Sequence, residues 1–182
     1  MARLPYLDRE DLAPADQDLL KRGINLHRQL VHSPGMARAF SAMGQYIRFG
    51  SPLDPRLREL AILQVGWLAR SPYEWSHHVK IGFDFGVSED DVRALIADSA
   101  GARTLLGAAE RAVLAAARHL TAAATLTDAQ FAALRAHLDE KSIVELLVVI
   151  SFYNGVVRVL ASLQIDVEPE YQPYLDAFPL PA

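Results

Sequence analysis

The 182-residue sequence contains no cysteine. This absence excludes disulfide bonds, thiol nucleophiles, thiolate zinc sites and iron–sulfur clusters from the chemistry of the chain. Positive charge is also sparse, with 18 lysine and arginine residues against 22 aspartate and glutamate residues, and a net charge of -4. Because the charges are interspersed, there is no basic stripe that would neutralise phosphates or anionic lipids. We therefore expect neither nucleic acid nor a membrane as a partner.

The longest apolar segment covers residues 143–163. It is long enough to span a bilayer, but Glu145, Asn154 and Arg158 lie in its interior, which argues against a membrane-spanning helix. The N-terminal sequence MARLPYLDREDLAP lacks the apolar core of a secretory signal, so we expect a cytoplasmic protein. Since the segment is apolar on nearly every side, we expect a partner subunit to cover one flank. A central helix wrapped wholly by its own chain is the alternative.

Apolar residues recur at intervals of three and four, which is the period of an α-helix. The sequence therefore predicts an all-α protein whose residues 1–182 form a single domain of about eight helices. We place them at 14–32, 35–49, 55–69, 72–85, 89–98, 106–123, 128–138 and 142–164, with the Pro-rich tail 165–182 extended over the surface. Helix starts are indicated by Asp54-Pro55, Ser88-x-x-Asp91 and Thr127-x-x-Gln130. The similarity of LDPRLRELAIL and LDEKSIVELLVV leaves open a duplicated helical hairpin or a chance match.

The stretch SPYEWSHHVK, residues 71–80, admits two interpretations. Ser71 followed by Pro72 is typical of a helix start, and Glu74 three residues later completes a capping-box pattern. His78 lies four residues beyond Glu74, on the same helix face, which is the arrangement of an acid–base couple. Both interpretations remain open from the residues alone. His77 projects about 100° away around the helix, so we do not expect it to serve the same site.

Glu59 lies within the strongly apolar helix RLRELAILQVGWL, where an unpaired charge would be costly. We expect it to pair with Arg56, Arg58 or Arg158. That pairing is either structural or part of a proton-transfer site with a raised carboxyl pKa. The histidines lack the HExxH spacing, so we expect no metal site.

The run RELAILQVGWLARSPYEWSHHVKIGFDFGVSEDDVRAL, residues 58–95, resembles the carboxymuconolactone decarboxylase family, which includes the alkyl hydroperoxidase D (AhpD) type proteins. The resemblance implies a family core at about 40–125, with the helices of 128–164 and the tail in the same unit. In AhpD-type proteins a glutamate precedes a C-x-x-C-x-x-x-H motif. Here these positions hold Glu59, Ser71, Glu74 and His78. Because both thiols are absent, AhpD-type peroxidase activity is not expected.

Resemblance to the decarboxylase branch implies an AhpD-like helical bundle, a trimeric or hexameric homo-oligomer, and no metal or organic cofactor. It also implies loss of carbon dioxide from a small carboxylated lactone or related carbon acid. In that reaction His78 would be the general acid, Glu74 its orienting partner and Glu59 a second relay group. The expected substrate-binding residues are Arg56 or Arg158 for a carboxylate, and Tyr73, Asn154 and Ser71 for hydrogen bonds. Two alternatives stay open: a cofactor-free isomerase or hydrolase of a small carbonyl compound, and a non-catalytic oligomeric binding protein.

Overall fold

A computed structural model describes residues 2–181, and within this range the chain is helical without strands, as the sequence predicted. The nine α-helices of this range are α1 Asn25–Leu30, α2 Pro34–Gln45, α3 Pro55–Leu68, α4 Pro72–Asp84, α5 Glu89–Ser99, α6 Ala108–Ala123, α7 Asp128–Arg135, α8 Glu140–Leu163 and α9 Gln172–Ala177. A π-helical turn, Tyr46–Gly50, extends α2. Short 3-10 turns occupy Arg9–Asp11, Pro14–Leu20 and Pro169–Tyr171.

The helix starts follow the capping signals. Asp54 accepts a hydrogen bond from the Leu57 amide ahead of α3. Reciprocal capping boxes open α5 and α7 at the predicted pairs. Each of these side chains binds a backbone amide that would otherwise lack a partner in the first helical turn. Local sequence therefore places the starts of α3, α5 and α7.

Two predicted segments differ from the structure. The single helix expected over 14–32 is broken into a 3-10 turn and α1, because Gly23 adopts a left-handed conformation with a φ of 62°. The tail was expected to be extended, but it contains the turn Pro169–Tyr171 and helix α9. Proline in the first turn of each of these elements is compatible with a helix start. The buried side chain of Phe178 then anchors the tail, and its carbonyl accepts a 2.7 Å hydrogen bond from Trp75 Nε1.

Helix α3 lies at the centre of the fold and packs against α4, α6 and α8. Its residues from Arg58 to Gly66 are all buried, which explains why its apolar residues are not confined to one face of the helix. This central position matters for function because any charged residue on α3 must find its partners inside the protein. Glu59 is such a residue.

Helix α8 is long and apolar enough to cross a membrane by length and composition, but half of its most apolar window is buried inside the fold. Ile143, Leu146, Val149 and Ile150 belong to the main hydrophobic core. Helix α8 is therefore a core helix of the bundle. Its opposite flank is exposed at Val144 and Val148, beside Met43 and Tyr46 of the neighbouring α2 region. We call this apolar depression the α2–α8 groove, and its lining residues are Ala39, Ala42, Met43, Tyr46, Ile47, Val144, Glu145 and Val148.

Candidate active site

Helix α4 begins after a capping residue and carries an acidic residue in its first turn. Ser71 Oγ accepts a hydrogen bond of 3.4 Å from the Glu74 amide, as expected of an N-cap residue. The reciprocal half of the predicted capping box is absent, because the Ser71 amide donates instead to the Gly66 carbonyl at 3.1 Å. The capping-box prediction was therefore wrong for Glu74. Its carboxyl group is free of the helix start and lines a cavity.

Three residues from α3 and α4 form a buried chain of acid–base groups, which we call the Glu59–His78–Glu74 relay. His78 Nδ1 lies 2.7 Å from Glu59 Oε2, and His78 Nε2 lies 3.1 Å from Glu74 Oε1. All three residues are at most 5% exposed. Glu59 also accepts a 3.0 Å hydrogen bond from Arg58 Nε, so Arg58 is its arginine partner. Packing of α3 against α4 thus places one imidazole between two carboxyl groups.

The two carboxyl groups of the relay have opposite pKa shifts. Burial by itself would raise the pKa of Glu59, but the charges and hydrogen bonds of His78 and Arg58 outweigh it and leave the pKa below its ordinary value. Burial raises the pKa of Glu74, and the charge of Glu59 adds to the shift, while His78 and Arg48 only partly oppose it. Glu59 is therefore the carboxylate of the relay and Glu74 the group that favours its protonated form. Such divergence within one site is typical of paired acid and base roles.

The relay opens into a cavity of ≈ 330 Å³. Its apolar walls are formed by residues of the α1, α2 and α8 regions, chiefly Leu26, Phe40, Phe49, Phe152 and Val156. The ring of Tyr153 meets the His78 ring edge-on, with 4.9 Å between centroids. The size and lining suit a small organic molecule with an apolar or ring-shaped body.

Positive charge in this cavity comes from Arg22 and Arg48, which both line it. Neither guanidinium forms an ion pair or hydrogen bond with any residue between 2 and 181. His27, another lining residue, adds no charge at neutral pH, because burial and the nearby charge of Arg22 lower its pKa to about 4. Two arginines without protein partners therefore face the cavity beside an acid whose pKa is raised by burial. This arrangement favours an anionic ligand.

The arginines that the sequence suggested for this role lie elsewhere. Arg56 binds Asp91 at 2.5 Å and Glu110 at 2.7 Å, in an ion-pair cluster that joins α3, α5 and α6. Arg158 is exposed on α8 and donates to Asn154. Neither lines the cavity. The sequence offered no signal for Arg22 and Arg48, because each lies on a segment far along the chain from the motif of α4.

The remaining predicted ligand-binding residues divide in the same way. Tyr73 is buried and lines the cavity, where its hydroxyl donates to Glu168 Oε1 at 3.0 Å. Asn154 donates to Thr121 Oγ1 at 3.0 Å and is outside the cavity lining. Ser71 serves as the cap of α4 and is also outside it. Tyr73 is thus the one of these three that the fold brings to the relay.

His77 was expected to face away from the site, and the structure corrects this expectation. Both His77 and His78 line the cavity. His77 Nε2 lies 2.7 Å from Glu168 Oε2 of the C-terminal segment. Among residues 2–181, no three histidine, aspartate or glutamate side chains are grouped so that they could hold a metal ion.

Known proteins resemble this chain in sequence over part of its length and in fold. Residues 34–119, which include the whole relay, match the sequence model of the Carboxymuconolactone decarboxylase family. Among solved structures, a peroxidase-related protein with an AhpD core from Ralstonia eutropha JMP134 superimposes with a TM-score of 0.80 at 18% identity, covering 96% of this chain and 95% of that one.

The debrominase Bmp8 superimposes with a TM-score of 0.77 at 23% identity, covering 94% and 95% of the two chains. A protein of unknown function from Agrobacterium tumefaciens gives 0.68 at 22% identity, over 77% of this chain and 95% of that one. No curated protein matches the sequence. At these identities the structural likeness shows a shared AhpD-like fold. Over residues 34–119 the chain is a carboxymuconolactone decarboxylase-like protein, and it contains no cysteine.

Proposed function

We propose that the protein is a cofactor-free enzyme that releases carbon dioxide from a small carboxylated lactone or a related carbon acid. The observation that carries this proposal is the Glu59–His78–Glu74 relay, which opens into a small cavity beside two arginines that lack protein partners. The absence of cysteine removes the thiol chemistry of AhpD-type proteins and leaves proton transfer as the chemistry of the site.

Binding requires recognition of an anion and of an apolar body. Arg22 and Arg48 hold a carboxylate that the substrate retains, because charge-assisted bonds to guanidinium are strong in a poorly hydrated site. The carboxylate that leaves lies against the apolar walls, where its charge is poorly solvated. The ring shape of the ligand has support from the debrominase Bmp8, a variant of which was crystallised with 2,3,4-tribromopyrrole.

The chemical step breaks the bond between the ring carbon and the leaving carboxylate. Its electron pair enters the conjugated lactone as a dienolate, and carbon dioxide departs. Glu74, whose burial favours the protonated form, donates its proton to the dienolate carbon. His78 then transfers a proton from solvent to Glu74. Glu59 accepts the hydrogen bond from His78 Nδ1–H and stabilises the transient imidazolium. The proton donor is therefore Glu74, and His78 is its relay, the reverse of the roles that the sequence suggested.

The test is carbon dioxide release from 4-carboxymuconolactone by the purified protein. We expect turnover that falls about 10²–10⁴-fold in Glu74→Gln and in His78→Ala, since a positioned acid contributes that much. Glu140→Gln, a change at an exposed carboxyl group, should leave the rate unchanged. Circular dichroism must show that each variant is folded. The proposal fails if the parent releases no carbon dioxide, or if folded Glu74→Gln retains the parental rate.

The trimer or hexamer implied by the family resemblance remains a prediction. The α2–α8 groove is the surface that best fits it, because Val144, Val148 and Met43 expose apolar area there. Location in the cytoplasm likewise remains a prediction.

A further inference from the structure

The cavity has a second histidine–carboxylate couple, formed by His77 and Glu168. His77 Nε2 lies 2.7 Å from Glu168 Oε2. The other carboxylate oxygen accepts hydrogen bonds from the Tyr73 hydroxyl at 3.0 Å and from the Asn25 amide at 2.6 Å. The imidazole ring is stacked between Tyr73 and Tyr171, with centroid distances of 4.1 Å and 3.5 Å. The ring of His77 is therefore held on both faces and at one nitrogen.

These contacts determine which nitrogen of His77 carries hydrogen. Burial lowers the pKa of His77, although the hydrogen bond and charge of Glu168 partly oppose the shift. Burial would raise the pKa of Glu168, but the hydrogen bonds from His77 and Asn25 outweigh it and lower the pKa. A neutral imidazole beside a carboxylate acceptor places its hydrogen on Nε2. Nδ1 then retains its lone pair, and it has no hydrogen-bond partner among residues 2–181.

The relay and this second couple differ in protonation. Burial raises the pKa of Glu74 and so favours its proton-donating form, while the lowered pKa of His77 favours the neutral ring with an unprotonated nitrogen. The two residues are three positions apart on α4, which makes them neighbours on the helix surface, and both line the cavity. One bound molecule can therefore contact an acid and a separate base.

We propose that His77 is a second acid–base residue of this cavity and that the enzyme also isomerises lactones that carry hydrogen in place of the leaving carboxylate. This inference rests on the proposed function, because it uses the same cavity and the same proton donor. Glu168 acts as a positioning residue that fixes the tautomer of His77. Glu168 and Tyr171 lie beyond residues 34–119, so the part of the chain that matches the family model does not supply this couple by itself.

The isomerisation balances without an oxidant or reductant. The ring C–H bond breaks, its proton moves to His77 Nδ1, and its electron pair enters the lactone as the same dienolate that decarboxylation would form. Glu74 then donates its proton to the distant carbon of the dienolate, and the double bond changes position. Proton exchange with solvent returns His77 and Glu74 to their starting states. Decarboxylation needs only the second of these proton transfers.

The first measurement concerns the free protein and does not depend on turnover. Long-range ¹H–¹⁵N spectra of the histidine rings at pH 7, assigned with His77→Gln, should show His77 neutral with hydrogen on Nε2. Glu168→Gln should shift the tautomer population, and His137→Gln, at an exposed histidine, should leave the His77 signals unchanged. A doubly protonated His77, or one with hydrogen on Nδ1, would overturn the inference.

The second measurement compares two substrates in D₂O. Muconolactone carries hydrogen where 4-carboxymuconolactone carries the leaving carboxylate, and the parent protein should isomerise it with deuterium incorporation. His77→Gln should reduce this isomerisation at least about 100-fold more than it reduces carbon dioxide release, because a positioned base contributes about that much. Glu74→Gln should reduce both activities, and His137→Gln neither.

The outcomes separate the two proposals. Isomerisation that depends on His77, without carbon dioxide release, would refute the decarboxylase and support the inference. Carbon dioxide release without isomerisation of muconolactone would refute the inference and support the decarboxylase. Equal losses of both activities in folded His77→Gln would show that His77 only supports the structure of the cavity, and would also overturn the inference.

Discussion

Replacement of Glu59 by glutamine tests the electrostatic description of the relay. The change preserves the shape of the side chain but removes a negative charge that is 1% exposed and lies against Arg58 and His78. Arg58 is itself 2% exposed, so its guanidinium would remain buried without its carboxylate partner. Removing one member of a buried ion pair typically costs about 3–5 kcal/mol. For a chain of this length that loss corresponds to a fall of about 6–20 °C in Tm.

Glu74→Gln is the matched control on the other side of the same imidazole. Glutamine is close in shape to a protonated glutamic acid, and burial already favours the protonated form of Glu74. We therefore expect Glu74→Gln to leave the free energy of unfolding unchanged or to increase it. Urea denaturation followed by circular dichroism measures both variants at pH 7. A loss below about 1 kcal/mol in Glu59→Gln, or equal losses in the two variants, would refute the assignment of charge within the relay.

The pH dependence of the two variants should differ in sign. The lowered pKa of Glu59 stabilises the fold above the ordinary value of 4.5, and this contribution is lost as the pH falls through the lowered pKa. The loss of stability caused by Glu59→Gln should therefore become smaller as the pH falls. The raised pKa of Glu74 means that the folded state binds an extra proton above 4.5, so parental stability falls as the pH rises through the raised pKa. The gain in stability of Glu74→Gln over the parent protein should accordingly increase with pH.

Four further variants test other parts of the structure. Arg48→Gln should weaken carboxylate binding by about 1.5–3 kcal/mol, seen as an increase in KM of about 10–100-fold. Arg56→Gln should lower the free energy of unfolding by at most about 1 kcal/mol and leave KM unchanged. Ser71→Ala removes the cap of α4 and should lower the free energy of unfolding by about 0.5–2 kcal/mol in urea denaturation; an unchanged midpoint would contradict the capping role. Val148→Glu places a charge in the α2–α8 groove and should reduce the native mass in light scattering if a second copy covers it, so an unchanged oligomer would exclude this surface.

Much of the fold follows from local patterns. The intervals of three and four predicted the all-α fold, and the capping signals at Asp54, Ser88 and Thr127 placed the starts of three helices. These predictions succeeded because a capping side chain binds an amide only three residues away. The break at Gly23 and the short helix α9 escaped prediction, since each depends on the contacts of the segment as well as on its own sequence.

The sequence also identified the relay residues, since Glu74 and His78 lie one helical turn apart and Glu59 had to find a partner within an apolar helix. It left open whether Glu74 caps α4 or takes part in chemistry. Tertiary packing decided this, because the Ser71 amide binds the Gly66 carbonyl and Glu74 is left facing the cavity. The same packing selected Arg58 rather than Arg56 as the partner of Glu59.

The sequence by itself determined the helical period, the helix caps, the absence of thiols and the spacing of the acid and the histidine on α4. The tertiary structure alone decided the charges and contacts of the cavity. Glu168 reaches His77 across 91 residues of sequence, and Glu59 reaches His78 across 19. Arg22, which precedes α1, and Arg48, in the π-helical turn after α2, reach the cavity of the relay only through the folding of the chain. A carboxyl group acquires its pKa from burial and from neighbouring charges, and both depend on how distant helices pack.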